Sequence, residues 1–179
     1  MSRWAGLLFI LIGACLLAAA LAPAADPPRR LPSAPPAASD QNLAVVVNKS
    51  NPVEKLSMAE LRKVFLGERS HWPNGRRITL VMMESGQPER DAVLHMIYQM
   101  SETDFNNHFL RGMFTGEVFV SPKTLATPVG VCKFIFNVPG AIGYVRATDV
   151  DESVKVIRID ERLPEDRGYR LHVPPRPSK

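Results

Sequence analysis

Hydrophobic positions along the chain fall into two rhythms. From Leu43 to Val47 apolar residues follow one another without a polar break, which predicts a buried strand. Ile78 to Met83 repeats the pattern, and Ile142-Gly143-Tyr144-Val145 and Val154 to Ile159 complete the predicted strands. Between these runs apolar residues recur at helical spacing: Met58, Leu61, Val64 and Phe65 share one face, and Val93, Leu94, Ile97 and Tyr98 another. A further helix is predicted over Thr103 to Leu110. Punctuation agrees with the rhythm. Ser57 and Glu60 have capping-box spacing, and Gly67 is a natural stop. Trp72-Pro73-Asn74-Gly75 reads as a tight turn. Thr127 is placed to cap a helix with Pro128 at its first position, and Pro139-Gly140 breaks that helix near Val138. Strands interleaved with helices predict an α/β domain with a mixed sheet flanked by helices.

The ends read differently. A short basic start, Met1 to Trp4, leads into an apolar stretch from Leu7 to Leu21, then Ala22-Pro23-Ala24. This order predicts a signal peptide over 1–24 and a periplasmic or secreted location. The apolar stretch is shorter than the roughly 20 residues of a membrane span, so none is expected after cleavage. Ile12-Gly13-Ala14-Cys15 resembles a lipobox, but apolar residues continue past Cys15, and lipoprotein processing is the competing reading. Residues 25–41, rich in proline and alanine, predict an extended linker. The domain is expected over 42–163, and 164–179, with three prolines near its end, as a flexible tail.

Charge narrows the partners. Removing 1–24 takes away Arg3 and lowers the formal net charge from +4 to +3. That mild basic bias suits a small anionic ligand, whereas nucleic acid demands a denser basic stripe with interleaved aromatics. Cys132, among Val131, Phe134 and Ile135, is expected as a small buried apolar residue. The four histidines have no metal-ligand spacing, and neither a metal nor a cofactor is expected. Ser70 and His71 are adjacent, and such neighbours are expected to face apart. Met58, Met82, Met83, Met96 and Met100 fit core positions, and Asp149, Asp151 and Glu152 a solvated acidic turn. No enzymatic constellation emerges.

Leu80 to Leu94, LVMMESGQPERDAVL, is where an apolar run breaks at Glu84-Ser85-Gly86-Gln87-Pro88 and a helical pattern begins. The first turn of a helix leaves free N–H groups and a partial positive charge. A glycine lets an anion approach the backbone, and a serine hydroxyl and a guanidinium add donors. The alternative is structural: Ser85 caps the helix while Arg90 pairs with Glu89 or Asp91 on the surface.

The runs Leu-Ser-Met-Ala-Glu-Leu-Arg-Lys-Val-Phe-Leu-Gly from Leu56, Glu84-Ser85-Gly86 with Arg90 beyond, Phe114-Thr115-Gly116, and Val-Pro-Gly-Ala-Ile-Gly-Tyr-Val from Val138 occur in that order. Together they resemble the phosphate-binding components of ABC transporters, the PstS-like periplasmic binding proteins, over about residues 43 to 160. The resemblance implies a single lobe of a type II periplasmic-binding-protein-like fold and a small oxyanion ligand such as phosphate. It implies binding at Ser85, Gly86, Gln87 and Arg90, with Gln87 in place of a threonine and Pro88 and Glu89 lengthening the spacing to Arg90-Asp91. An ABC transporter permease or another envelope protein is the implied partner, with uptake or sensing as the role. From a different class, the alternative is a non-catalytic interaction module that keeps the fold without the ligand.

Overall fold

The computed structural model describes residues 40–119 and 121–174; the expected signal and nearly all of the expected linker lie outside them. In the main sheet β1 (Leu43–Asn48) is an inner strand, buried along its whole length as its unbroken apolar run requires. It is flanked by β5 (Ala141–Arg146) and β6 (Val154–Val156), both antiparallel to it. Beyond β5 lie β3 (Thr79–Met83), parallel to β5, and then β4 (Lys123–Leu125), parallel to β3. The order β4-β3-β5-β1-β6 is a five-stranded mixed sheet, as expected. A separate parallel pair joins β2 (Lys55–Leu56) to β7 (Arg158–Ile159).

The helices start where local chemistry places them. Ser57 caps α1 (Met58–Phe65) in a complete capping box with Glu60. Thr127 accepts from the amide of Gly130 at the head of α4 (Pro128–Asn137), which packs on β5, β1 and β3. Gly140 follows because no side chain fits: a Cβ there would sit 2.0 Å from the Arg77 carbonyl oxygen. Trp72 donates its indole N–H to the Gly140 carbonyl at 2.9 Å, fastening the turn before β3 to the loop before β5. Helix α3 (Glu102–Thr115) runs past the expected end at Leu110. It tolerates Gly112 because Val118 folds back against that position, within 2.2 Å of where a Cβ would stand.

The expected flexible tail is corrected in its first part. Tyr169, Leu171 and Val173 are buried, Leu171 accepts from the Leu43 amide at 2.9 Å, and Val173 donates to Gln41 at 2.7 Å. Tyr169 also donates its hydroxyl to the Leu43 carbonyl at 2.7 Å. The domain therefore reaches Pro174, and residues 175–179 lie outside the described residues.

After β7 a two-residue loop, Asp160-Glu161, turns the chain between Ile159 and Arg162, which exchange both backbone hydrogen bonds. Both loop residues have positive φ, 48° and 66°. A tight hairpin of this form requires that conformation, which glycine adopts without strain at the second position. Asp160 is tied to α1 through the Met58 amide, whereas Glu161, among the described residues, makes only an exposed ion pair with Lys55. Glu161→Gly is expected to stabilise the domain by about 0.5–1 kcal/mol, the relieved strain exceeding an exposed ion pair and the added chain entropy. A lowered midpoint in urea denaturation would contradict this.

Candidate functional site

The stretch between β3 and the next helix is a closed turn. Gln87 donates its amide to Glu84 at 3.3 Å, and Gly86 sits in the left-handed region at φ +83° with open space around it. Glu84 donates its own amide to Leu125, which holds the turn against the end of β4. Helix α2 (Pro88–Val93) then begins with Gln87 as its N-cap residue and no side-chain cap. The structural alternative is thereby corrected: Ser85 is exposed and does not cap the helix. A π-helical turn, Leu94–Tyr98, continues α2 and ends at Gln99 with φ 57°.

Arg90 departs from both expectations. It is neither a surface partner of Glu89 or Asp91 nor a free donor beside the turn. Its side chain is buried and gripped on every edge. Nε and Nη2 donate to the two carboxylate oxygens of Glu102 at 2.9 and 2.7 Å, and Nη1 donates to the Met83 carbonyl at 3.0 Å. The guanidinium face lies 4.8 Å from the Phe105 ring centroid. The hydrogen bonds from Arg90 hold the Glu102 carboxyl below its ordinary range, and the same bonds raise the Arg90 guanidinium. No local pattern announces this pairing, because its partner lies across the π-helical turn on α3. Arg90 thus links the end of β3, the first turn of α2 and the start of α3.

Beside it lies a cavity of about 450 Å³ lined by Met83, Gln87, Glu89, Pro128, Val129 and Asp149. It opens at the C-terminal end of β3, between the starts of α2 and α4. Of the expected ligand residues, Gln87 lines this cavity, Ser85 and Gly86 form the adjoining exposed turn, and Arg90 is not among the lining residues. Glu89, Pro128, Val129 and Asp149 were not expected there. For α4 the signal existed in Thr127-Pro128, which fixes a helix start, but nothing local says that this start faces α2.

Glu89 is a buried carboxylate beside the cavity, and its charge is balanced by Arg146 at the end of β5, whose Nε donates to it. Arg146 is wholly buried. Its Nη1 donates to the Asp40 and Pro174 carbonyls at 2.7 and 2.9 Å, and its Nη2 has no partner among the described residues. One guanidinium therefore joins the cavity wall to both ends of the described chain.

Elsewhere the chemistry is sparse. Cys132 is buried, as expected, and burial pushes its thiol up. Ser70 and His71 do meet, with Oγ 2.9 Å from Nδ1, correcting the expectation that they face apart. The pair is on the surface, and among the described residues no carboxylate bonds the histidine's other nitrogen. Among the described residues no cluster of three or more His, Cys, Asp or Glu could hold a metal ion, and no helix is long and apolar enough to cross a membrane.

No family model matches the sequence. Solved structures do match the fold. An ABC-type phosphate transport receptor from Vibrio cholerae superposes with a TM-score of 0.57 at 20% identity, over 69% of this chain and 48% of that one. The chain has the fold of PstS-like phosphate receptors. A putative phosphate ABC transporter substrate-binding protein with bound phosphate from Clostridium perfringens gives 0.55 at 21% identity, covering 68% of this chain and 46% of that one. PstS from Borrelia burgdorferi gives 0.53 at 11% identity, covering 67% and 47%. The chain thus spans about half the length of the PstS-like receptors it matches. These neighbours are named as transport receptors, not enzymes.

Proposed function

We propose that the chain is an exported PstS-like domain that holds a small oxyanion, phosphate first, in the cavity at the end of β3. The observation that carries this reading is the cavity's position. It lies outside the carboxyl end of a sheet strand and between two helix starts, where α/β sheets take their ligands, in a fold shared with phosphate receptors. The exposed Ser85–Gly86 turn and the Gln87 side chain supply donors. Arg90 serves as their anchor and does not touch the ligand.

Magnitudes fix what such a site does alone. Charge-assisted hydrogen bonds contribute roughly 1.5–3 kcal/mol each, while lost rigid-body freedom costs about 4–15 kcal/mol. A few donors on one side, with the Glu89 carboxylate nearby, therefore give weak binding. A second wall, contributed by a permease or another envelope protein, raises it to a useful level for ABC-type uptake or sensing.

Calorimetric titration with phosphate and with sulfate tests the reading. Weak saturable heat is expected with phosphate, reduced at least about threefold in affinity by Ser85→Ala and by Gln87→Ala, with unchanged thermal stability. Flat titrations of a folded protein, combined with specific retention of an envelope partner, would instead support the interaction module that keeps the fold without a ligand.

A further inference from the structure

The two ends of the described chain lie against each other beside the cavity wall. Leu43 donates its amide to Leu171 and Val173 donates to Gln41, so the tail forms a short antiparallel strap along Gln41 to Leu43. Arg146 fastens the strap. Its Nη1 donates to the Asp40 and Pro174 carbonyls and lies 3.4 Å from the Asp40 carboxylate. From the same guanidinium, Nε donates to Glu89, which lines the cavity. The closed strap carries a penalty of its own: Nη2 is buried with no partner among the described residues. A buried charged donor without an acceptor is unfavourable, and opening the strap would hydrate it. Chain ends are also where local opening takes least free energy. Closed and open forms of the strap are therefore close enough in free energy for a ligand to shift one toward the other.

We infer that this strap regulates the cavity through the Arg146–Glu89 contact, its closed form favouring an anionic ligand and its open form disfavouring one. The inference rests on the oxyanion reading of the cavity given above. With the strap closed, Arg146 is wholly buried and its charge acts on Glu89 without screening by water. The cavity wall is then close to neutral. Opening admits water to the guanidinium, and the Glu89 carboxylate faces the cavity less well compensated, which repels an anion. The effect is reciprocal: a bound anion favours the closed strap by the same factor as the closed strap favours the anion. Because the segment before Asp40 enters the fold at this point, a load on that segment acts on the strap and, through Arg146, on the cavity.

Amide hydrogen exchange reads the strap at Leu43 and Val173, whose N–H groups bond across it. Glu89→Gln keeps an acceptor for Arg146 and removes only the charge. It is expected to speed exchange at both amides at least about fivefold while amides in β3 keep their rates. Saturating inorganic phosphate should slow the same two amides in the unsubstituted chain at least about threefold. In the other direction, Val173→Asp, which drives the buried end of the strap into water, should raise the calorimetric Kd for phosphate by a similar factor of about three. Unchanged exchange at Leu43 and Val173 in Glu89→Gln, or an acceleration shared equally by β3, overturns the inference whatever phosphate does. Phosphate heat with no slowing of the two amides, or with a Kd indifferent to Val173→Asp, overturns it and leaves the binding reading standing. A folded chain that gives no phosphate heat overturns the binding reading instead, and the response to Glu89→Gln still decides whether wall and strap are coupled.

Discussion

Replacing Arg90 by methionine is expected to destabilise the domain by about 2–4 kcal/mol at neutral pH, and to do so without the selective loss of affinity that a ligand-contacting arginine would give. The Met83 carbonyl loses its buried donor, which costs about 1–3 kcal/mol. The stacking on Phe105 adds about 0.5–2 kcal/mol. Partly exposed Glu102 regains water, which keeps the total below the roughly 3–5 kcal/mol of breaking a fully buried pair. The pH dependence identifies the cause. Because Arg90 lowers the folded-state Glu102 carboxyl from its ordinary 4.5, the contribution is complete above that value and fades as pH falls through the lower folded value. Urea denaturation at pH 7 and near pH 3 should therefore show the penalty for Arg90→Met shrinking in acid. A penalty independent of pH would mean that the Glu102 pairing is not what the substitution removes. A variant of full stability that has lost phosphate binding would restore Arg90 to the ligand site.

What the sequence disclosed, and what it withheld, divides along contact distance. Ser57 with Glu60, and Thr127 with Pro128, encode helix starts within four residues, and both are found as expected. The strands β1, β3 and β5 are legible because they are buried deeply enough to be nearly all apolar. Strands β2 and β4, two and three residues long, are too short to show a period and exist because β7 and β3 pair with them. The tail contained a readable sign, Tyr169, Leu171 and Val173 alternating with Arg170 and His172, which is strand-like spacing in a segment marked mainly by its prolines. The cavity was the least legible part. Gln87 could be placed beside a helix start, but the facing wall comes from Pro128, Val129 and Asp149, forty residues and more away. Arg90 has the residue type and local position of a ligand donor, and only the fold reveals that Glu102 has taken it.

Arg146 offers the sharpest test of how the cavity is held. Its side chain is wholly buried and faces the equally hidden carboxylate of Glu89, and it also grips the backbone at Asp40 and Pro174. Arg146→Met strands a buried charge and leaves two carbonyls short of donors, so a loss of about 3–5 kcal/mol is expected. Glu89→Leu, which leaves Arg146 bonded to Asp40 and Pro174, should cost less. The informative variant is the double substitution. With both charges gone no stranded carboxylate remains, and the pair of changes should be more stable than Arg146→Met alone by about 1–3 kcal/mol, a strong negative coupling. Part of the loss must persist, because the two carbonyls are still without their donor and amides near Asp40 and Pro174 should exchange faster with solvent. Additive losses in the cycle would mean that the Arg146–Glu89 contact is not an energetic unit. In that case the cavity wall would be held by the packing of β5 and α4, and the guanidinium would matter only for fastening the two chain ends.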